Sequence, residues 1–501
     1  MPIWRFLLAC CNRPDYGAAM RYISTRGDKG TQGFQAAVMT GLARDGGLLL
    51  PADIPDVSSR LADWQSLSYP SLAFEIIRLY ADIPDSDLRD IITRSYSTFR
   101  HPDVTPVRSV GNVHILELFH GPTLAFKDVA LQFLGNTFEY VLKQSQCELN
   151  ILAATSGDTG SAAICGVRGR DRIRIFVMHP HGRVSPLQER QMTTVLDSNV
   201  FNIAVEGTFD DCQRMMKAIF TDLSFKDRYS LGTVNSINWA RVLAQIVYYF
   251  FSAFRVMRLT GARQIQFTVP TGNFGDIFAG YVAAKMGLPI RRLVLATNEN
   301  DILARFFNTG VYSAGPVHAT ISPSMDIQVA SNFERYLYYR LGSDPARVAD
   351  VMKEFESQGQ LSVPPLADGR IDELIVAGSG NTEETLACIR VTHSRYGYLL
   401  DPHSAVGVHV AKGHLSKDAP MICLATAHPA KFGQSIQDAT GRDLARHSLL
   451  DALRELPSRC TILPAREDEI RHFLEANLGI KAAKNMATAI TPHGIPKIQS
   501  P

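Results

Sequence analysis

One lysine stands in a setting that favours chemistry. Lys127 lies in HGPTLAFKDVALQFLGN, residues 120–136, where Gly121 and Pro122 form a turn and Thr123 can cap the following helix. A lysine among apolar residues and near a helix start loses its charge more easily, and a neutral amine can form a Schiff base. The alternative is a surface lysine whose stem lies on apolar side chains.

A strand, loop and helix follow in NILAATSGDTGSAAICGV, residues 150–167. Free backbone N–H groups at such a turn bind anions, and the hydroxyls of Thr155, Ser156 and Thr159 add donors. Asp158 would repel an anion, so we expect its side chain to bond N–H groups of the loop. A tight turn that only caps its helix explains the pattern equally well.

The same arrangement recurs in IQFTVPTGNFGDIFAGYVAAKMGLP, residues 265–289. Two glycines let the backbone approach a phosphate closely, although a G-x-x-G turn by itself is more often structural. The segment lacks one glycine of the G-x-G-x-x-G dinucleotide fingerprint. Its candidate phosphate loop consists of Gly272, Asn273, Phe274, Gly275 and Asp276.

Polar donors and one fixed charge precede an apolar helix in TVNSINWARVLAQIVYYFF, residues 233–251. Asn235, Ser236, Asn238 and Arg241 could converge on a phosphate group. Equally, Ser236 or Asn238 caps the helix and Arg241 joins a surface ion pair.

Thr426 follows a strand-like run in LATAHPAKF, residues 424–432. Ligands of open parallel sheets bind at the carboxyl ends of strands, where a hydroxyl could meet a ring nitrogen. A plain strand-end hydroxyl is the simpler interpretation. Together, one activatable lysine and two or three anion sites suit a phosphorylated cofactor and a phosphorylated amino acid.

The elements that must position these residues alternate between strands and helices. VHILELF, NILAAT, RIRIFVM, FNIAV, IQFTVP and RRLVLAT are apolar runs, most of them followed by helical periodicity, which predicts an α/β fold with a parallel sheet flanked by helices. Residues 20–105 predict an N-terminal helical domain, with Pro84 and Asp85 ending its helix. Residues 342–395 predict a helical insertion, and residues 481–501 a frayed tail.

Composition limits the partners. The 501 residues carry 51 Lys and Arg against 49 Asp and Glu, a net charge of +2, which provides no global field for nucleic acid or an anionic membrane. The 8 cysteines form no CxxC pair or zinc-ligand spacing, so we expect no metal site and a reduced, cytoplasmic protein. We expect no apolar run to be long enough to span a bilayer. Residues 1–19 predict a nonessential leader, with a lipoprotein signal anchored at Cys10 as the alternative.

At this point the motifs are recognisable. FHGPTLAFKD, ATSGDTGSAA, NSINWAR, PTGNFGD, ATNENDIL, SPSMDIQVASNFERYL, DPHSAVG and ATAHPAKF together resemble the threonine synthase family, in the longer form of fungi and many bacteria. The resemblance runs from Tyr22 to about Lys431. It implies a fold type II pyridoxal-phosphate enzyme, related to the tryptophan synthase β subunit, that converts O-phospho-L-homoserine and water to L-threonine and phosphate.

The resemblance also implies site roles. Lys127 matches the Schiff-base lysine, the 272–276 loop matches the holder of the cofactor phosphate, and Thr426 matches the hydroxyl partner of the pyridine nitrogen. The loop that grips the substrate carboxylate is matched by Thr155, Ser156, Asp158 and Thr159. From charge and donor type we place the substrate phosphate near Asn235, Ser236, Asn238 and Arg241.

The implied domains are a large cofactor-binding domain of residues 106–149 and 236–480, and a smaller, mobile substrate domain of residues 150–235. We expect a small-molecule substrate and a monomer or homodimer. Three other classes stay open: a related pyridoxal-phosphate dehydratase or lyase, a non-catalytic ligand-binding regulator, and a Rossmann-type oxidoreductase.

Overall fold

A computed structural model describes residues 20–28, 30 and 32–478 of the chain. The expected leader at 1–19 and tail at 481–501 lie outside the described residues. The strands are β1 Tyr22–Ser24, β2 Leu49–Pro51, β3 Val107–Val110, β4 Val113–Glu117, β5 Leu149–Ala154, β6 Ile173–Pro180, β7 Val200–Glu206, β8 Leu231–Gly232, β9 Ile265–Pro270, β10 Ile290–Thr297, β11 Val311–Ser313, β12 Gln360–Ser362, β13 Ile375–Ser379, β14 Met421–Ala425 and β15 Thr461–Pro464.

Helices connect most of these strands. They are α1 Phe34–Thr40, α2 Leu61–Trp64, α3 Tyr69–Ile77, α4 Asp85–Tyr96, α5 Lys127–Ser145, α6 Asp158–Val167, α7 Pro186–Thr193, α8 Phe209–Thr221, α9 Leu223–Arg228, α10 Trp239–Thr260, α11 Gly275–Lys285, α12 Ile302–Thr309, α13 Phe333–Arg340, α14 Pro345–Gln358, α15 Thr382–Tyr396, α16 Pro402–Ala411, α17 Gly433–Thr440, α18 Ser448–Ala452 and α19 Glu467–Leu478.

The larger sheet has the strand order β13-β10-β9-β14-β4-β3. All its pairings are parallel except that of β3 with β4, which is a short antiparallel hairpin at the edge. Every residue of β9 is buried, as expected for a strand covered by helices on both faces. The predicted parallel sheet flanked by helices is confirmed.

The smaller sheet has the order β15-β7-β6-β5-β8 and is parallel throughout. Its strand β15 comes from the C-terminal part of the chain, so placing residues 461–478 in the large domain is wrong. The physical reason is the apolar face of α19, whose Ile470 and Leu474 are fully buried in the core that contains Phe176 of β6.

Two further expectations need correction. Residues 342–395 are not a purely helical insertion, because β13 pairs in parallel with β10 at the edge of the larger sheet. Pro84 does not end a helix; it stands immediately before α4, and Asp85 is the first helical residue. Proline tolerates a helix start because its missing N–H would lack a partner there anyway, and early acidic residues favour the same end.

Helix α10 corrects the expectation that no apolar run has membrane-spanning length. It spans 22 residues with a mean hydropathy of 1.3 over its most apolar window, of which 78% is buried inside the protein. Its side chains therefore pack in the protein core, where an apolar surface all round is also expected.

Helices α5 and α6 pack closely at two glycines, Gly135 and Gly166. A Cβ atom at Gly135 would overlap the carbonyl oxygen of Gly166, and one at Gly166 would lie 2.6 Å from the carbonyl oxygen of Leu131. Only glycine permits this approach of the two backbones.

We expect Gly135→Ala to lower the free energy of unfolding by about 1–3 kcal/mol, because the added methyl group must push the two helices apart. Gly413→Ala is the matched control, since its Cβ meets no atom within 4 Å and should change stability by less than about 0.5 kcal/mol. Urea unfolding followed by fluorescence measures both. Equal stability of the two variants would contradict the close crossing.

Candidate active site

Helix α5 begins at Lys127 itself, not at a Thr123 cap. The Thr123 hydroxyl and backbone N–H both donate to the carboxylate of Asp128, at 2.7 and 2.8 Å. Leu124 takes a positive φ of 62°, which folds the chain sharply before the helix. Thr123 therefore does not cap the helix, because both of its donors are directed to Asp128 in the first helical turn.

The Lys127 amine is held inside the protein. Its Nζ donates a hydrogen bond to Oγ of Ser324 at 3.4 Å. Burial lowers the pKa of Lys127 to about 8; the charge of Asp158 opposes this shift, whereas those of Arg241 and Lys431 add to it. The residue keeps some accessible surface, so the amine is desolvated but can be approached by a ligand. A surface lysine is thereby excluded.

The 272–276 loop lies beside this amine through Ser324. A Cβ atom at Gly272 would be only 2.5 Å from the carbonyl oxygen of Ser324, so the close approach requires glycine. Phe274 adopts a left-handed φ of 63°, which costs an L-residue about 1–2 kcal/mol, and its buried ring compensates. The first N–H groups of α11 have no acceptor within the helix and can bind an anion.

Asp276 belongs to this loop but its side chain points elsewhere. Tyr248 and Tyr249 of α10 donate to its Oδ1 at 2.5 and 2.9 Å. Burial raises the pKa of Asp276 to about 6, and the two tyrosine hydrogen bonds oppose this. The carboxylate therefore anchors the loop to α10, and only the backbone of Asp276 is available to a phosphate.

Thr426 stands at the carboxyl end of β14, next to the strand that leads into the phosphate loop. Its carbonyl oxygen accepts from the Phe126 N–H at 2.8 Å, and its own N–H donates to Oγ of Ser404 at 3.1 Å. Ser404 in turn donates to Asp401. The backbone hydrogen bond from Phe126, the residue before Lys127, thus places Thr426 close to Lys127.

A buried acid and imidazole support the serine beside Lys127. The Asp401 carboxylate bonds Nδ1 of His403 at 2.9 Å, and Nε2 of His403 accepts the Ser324 N–H at 3.2 Å. Sequence reasoning assigned no role to Ser324, Asp401 or His403. The only signal was their presence in SPSMD and DPHSAVG, whose contact depends on two segments distant in the chain.

The 155–159 loop is built differently from its prediction. The Thr155 hydroxyl accepts from the N–H groups of Gly157 and Gly160, at 3.0 and 2.9 Å, and so shapes the turn. Ser156 is exposed and Thr159 half-buried, so these two hydroxyls remain accessible.

We expected the Asp158 side chain to bond N–H groups of the loop, but its partners are two other side chains. Its Oδ1 lies 2.5 Å from Nζ of Lys431 and accepts from Nε2 of Gln188 at 2.8 Å. Burial would raise the pKa of Asp158, but the charges of Lys431 and Lys127 and these hydrogen bonds hold it well below its usual range. Lys431, absent from our candidate residues, is thus a fully buried cation of the site.

The four candidates for a phosphate site divide by role. Asn238 caps α10 and its amide donates to the Val38 carbonyl oxygen at 2.8 Å, so it is structural. Asn235 is exposed. The Ser236 hydroxyl contacts that of Ser331 at 3.0 Å, and Ser331 donates to Asn273 of the phosphate loop at 3.3 Å.

Arg241 is the charged member of this group. It is 5% exposed, which excludes the surface ion pair. Burial lowers the pKa of Arg241 to about 10. Its Nη1 donates to the Val234 carbonyl oxygen at 3.2 Å, and among the described residues its buried Nε has no hydrogen-bond partner. A buried guanidinium with a free donor is suited to an anionic ligand.

These residues fit pyridoxal phosphate. The Lys127 amine suits its aldehyde, the glycine-dependent loop at the start of α11 suits its phosphate, and Thr426 supplies a hydroxyl at the sheet edge. Arg241 then remains for a second anion. No group of three metal-ligating side chains occurs among residues 20–28, 30 and 32–478.

We expect the full-length protein, freed of cofactor, to attach added pyridoxal phosphate at a rate that rises with pH through a midpoint near about 8, because only the uncharged Lys127 amine attacks the aldehyde. The growth of visible absorption after mixing measures this rate. The control is a blocked lysine in solution, whose midpoint should be about 10.4. A protein midpoint at that value would contradict the desolvation of Lys127.

Comparison with known proteins identifies the family of the chain. Three family models match: "Threonine synthase N terminus" at residues 21–96, "Pyridoxal-phosphate dependent enzyme" at 104–365, and "Threonine synthase, C-terminal" at 404–474. The last match extends past residue 431, where the resemblance of the motifs ends. Threonine synthase of Schizosaccharomyces pombe is 48% identical over 455 residues, which cover 83% of this chain and 88% of the relative. That of Pseudomonas aeruginosa is 46% identical over 463 residues, covering 91% and 98%.

A solved structure gives the same result. The crystal structure of pyridoxal-phosphate-bound threonine synthase from Brucella melitensis matches with a TM-score of 0.88 at 45% identity, and the match covers 92% of this chain and 99% of that one. Sequence, fold and site geometry agree over most of the chain. The chain therefore belongs to the threonine synthase family of pyridoxal-phosphate-dependent enzymes.

Proposed function

We propose that this chain converts O-phospho-L-homoserine and water to L-threonine and phosphate. The observation that carries the proposal is that the site contains both a desolvated Lys127 amine and a buried Arg241 guanidinium whose Nε has no partner among the described residues. The charge of Arg241 also lowers the pKa of Lys127. The loop at 272–276 accounts for a cofactor phosphate, so Arg241 is left for an anionic group of the substrate. Membership of the threonine synthase family supports the proposed reaction.

The cofactor would be held at three places. Lys127 would provide covalent attachment, the 272–275 backbone would bind the phosphate, and the Thr426 hydroxyl would serve as the partner of the ring nitrogen. When bound, pyridoxal phosphate supplies a conjugated system that accepts the electrons released at the substrate Cα. A neutral hydroxyl in place of the acid that many pyridoxal-phosphate enzymes use would leave the ring nitrogen less protonated, and we expect this to limit transamination.

Lys127 is the proton carrier in this proposal. Its uncharged Nζ would take the Cα proton of the bound substrate and later return protons to the product. A pKa of about 8 keeps an appreciable fraction of the amine uncharged near neutral pH. The Ser324 hydroxyl keeps Nζ in place between these transfers. His403 holds Ser324 itself by accepting a hydrogen bond from its backbone N–H.

The substrate's own anions bind on either side of this amine. The hydroxyls of the exposed Ser156 and the half-buried Thr159, with the N–H groups at the start of α6, suit its carboxylate. Arg241 and Ser236 suit its phosphate and stabilise it as a leaving group. We propose that the unit built on the five-stranded sheet closes over the site and excludes water from unwanted reactions.

A related dehydratase is the second candidate function. It needs no cation for a substrate phosphate, so it leaves the buried position of Arg241 unexplained. The cytoplasmic location and the monomer or homodimer remain proposals; the six described cysteines, none in a disulfide, agree with a reducing compartment.

Purified protein with pyridoxal phosphate should release phosphate and threonine in equal amounts from O-phospho-L-homoserine. Both products are assayed in the same reaction, with L-serine and L-threonine as the substrates that a dehydratase would convert to oxo acids. Lys127→Ala should abolish turnover and the visible absorption of the attached cofactor. Wild-type activity in that variant, or oxo-acid formation without phosphate release, would refute the proposal.

Arg241→Met should raise KM for O-phospho-L-homoserine at least about tenfold, since a hydrogen bond to a charged group contributes about 1.5–3 kcal/mol. Arg255→Met is the control on the same helix: Arg255 is half-buried and pairs with Asp103 at the surface. Steady-state kinetics of both variants should show the KM change only for Arg241. An equal KM in the two variants would remove Arg241 from the substrate site.

A further inference from the structure

We propose that Lys431 is a positioning residue that holds the Asp158 carboxylate and thereby weakens the attraction of that carboxylate for a proton on the Lys127 amine. The inference deepens the proposed function, on which its importance for turnover rests. The inference explains why a second lysine, Lys431, is buried in a site that already contains Lys127.

The geometry joins three segments of the chain at one ammonium group. Nζ of Lys431 lies 2.5 Å from Oδ1 of Asp158 at the start of α6 and donates to the Thr123 carbonyl oxygen at 2.9 Å. The Lys431 side chain is 0% exposed and that of Asp158 is 4% exposed, so water screens neither charge. Lys431 therefore links the segment after β14, the loop before Lys127 and the smaller sheet.

The charges around Lys127 are unequal in sign. Arg241 from α10 and Lys431 from the segment after β14 disfavour a proton on its amine, and Asp158 from α6 favours one. Asp128 lies on α5 itself; burial raises its pKa to about 6, although both Thr123 hydrogen bonds and the charge of Lys431 oppose the shift. Asp158 is thus the anion among these groups that acts on Lys127, and Lys431 occupies it.

Two opposite changes follow from removing either partner. Without Lys431, Asp158 is a buried anion that lacks its ion-pair partner, and Lys127 is the other cation whose charge acts on it. A protonated Lys127 is then favoured, because an opposite charge within about 4–6 Å shifts a pKa by about 1–3 units. Without Asp158, the remaining cations disfavour that proton further.

Full-length protein, freed of cofactor and mixed with pyridoxal phosphate, provides the test. Nζ of residue 127 forms a C=N bond to the aldehyde carbon, and the carbonyl oxygen leaves as water. The pH midpoint of the attachment rate, not its amplitude, is compared among wild type, Lys431→Met and Asp158→Asn. We expect the midpoint to rise by about one unit or more in Lys431→Met and to fall in Asp158→Asn.

Lys431→Arg is the conservative variant and should restore a midpoint close to that of wild type, because it keeps the cation. The double variant Lys431→Met with Asp158→Asn should also return towards wild type. If the pair had only a structural role, both single variants would shift in the same direction or not at all, and either result would overturn the proposal.

The readout separates this inference from the proposed function. Wild-type protein that attaches the cofactor but does not turn over O-phospho-L-homoserine would refute the proposed function alone. Wild-type protein that turns over substrate while the single variants show parallel shifts would refute the inference alone. Lys431→Arg should fold even where Lys431→Met does not. If the pH midpoint of Lys431→Arg rose by about one unit, as expected for loss of the charge, that result would also count against the inference.

Discussion

The amine of Lys127 has to meet two opposing requirements, and the rest of the site is arranged around them. It must be removed from water far enough to lose its proton near neutral pH, yet a ligand must be able to approach it. Burial lowers its pKa to about 8, while part of the residue keeps accessible surface. A nearby carboxylate would undo the first requirement, and Asp158 is instead bonded to Lys431. The surrounding charges therefore matter as much as the burial.

The sheet edge explains how distant segments meet at this amine. Strands β4, β9 and β14 lie side by side and run in parallel, so the segments that follow them emerge at one edge. The Phe126 N–H and the Thr426 carbonyl oxygen then join two of these segments directly. Glycine at 272 lets the third approach Ser324. The site is thus a product of strand order, and ligand binding at such an edge is the general rule for open parallel sheets.

Sequence reasoning was most successful where the signal is local. Apolar strands, the strand–loop–helix turns and Lys127 could all be identified, because each depends on residues a few positions apart. It failed for contacts between distant segments. Nothing near Asp158 indicates Lys431, and nothing near Ser324 indicates His403, because these pairs form only when separate strands align. For Asn238 the capping alternative is the one observed, but its contact with Val38, like that of Asp276 with Tyr248, joins separate elements and could not be predicted.

The origin of β15 has a consequence for how the chain acquires its structure during synthesis. β5, β6 and β7 are present once residue 206 has been made, but the outer edge of their sheet stays open until residues 461–464 arrive to pair with β7. An uncovered parallel edge can pair with other chains, and pairing across such a long separation in sequence is slow. A ribosome-bound intermediate of this protein should therefore carry an incomplete sheet through more than half of translation, a period in which a chaperone could bind that edge.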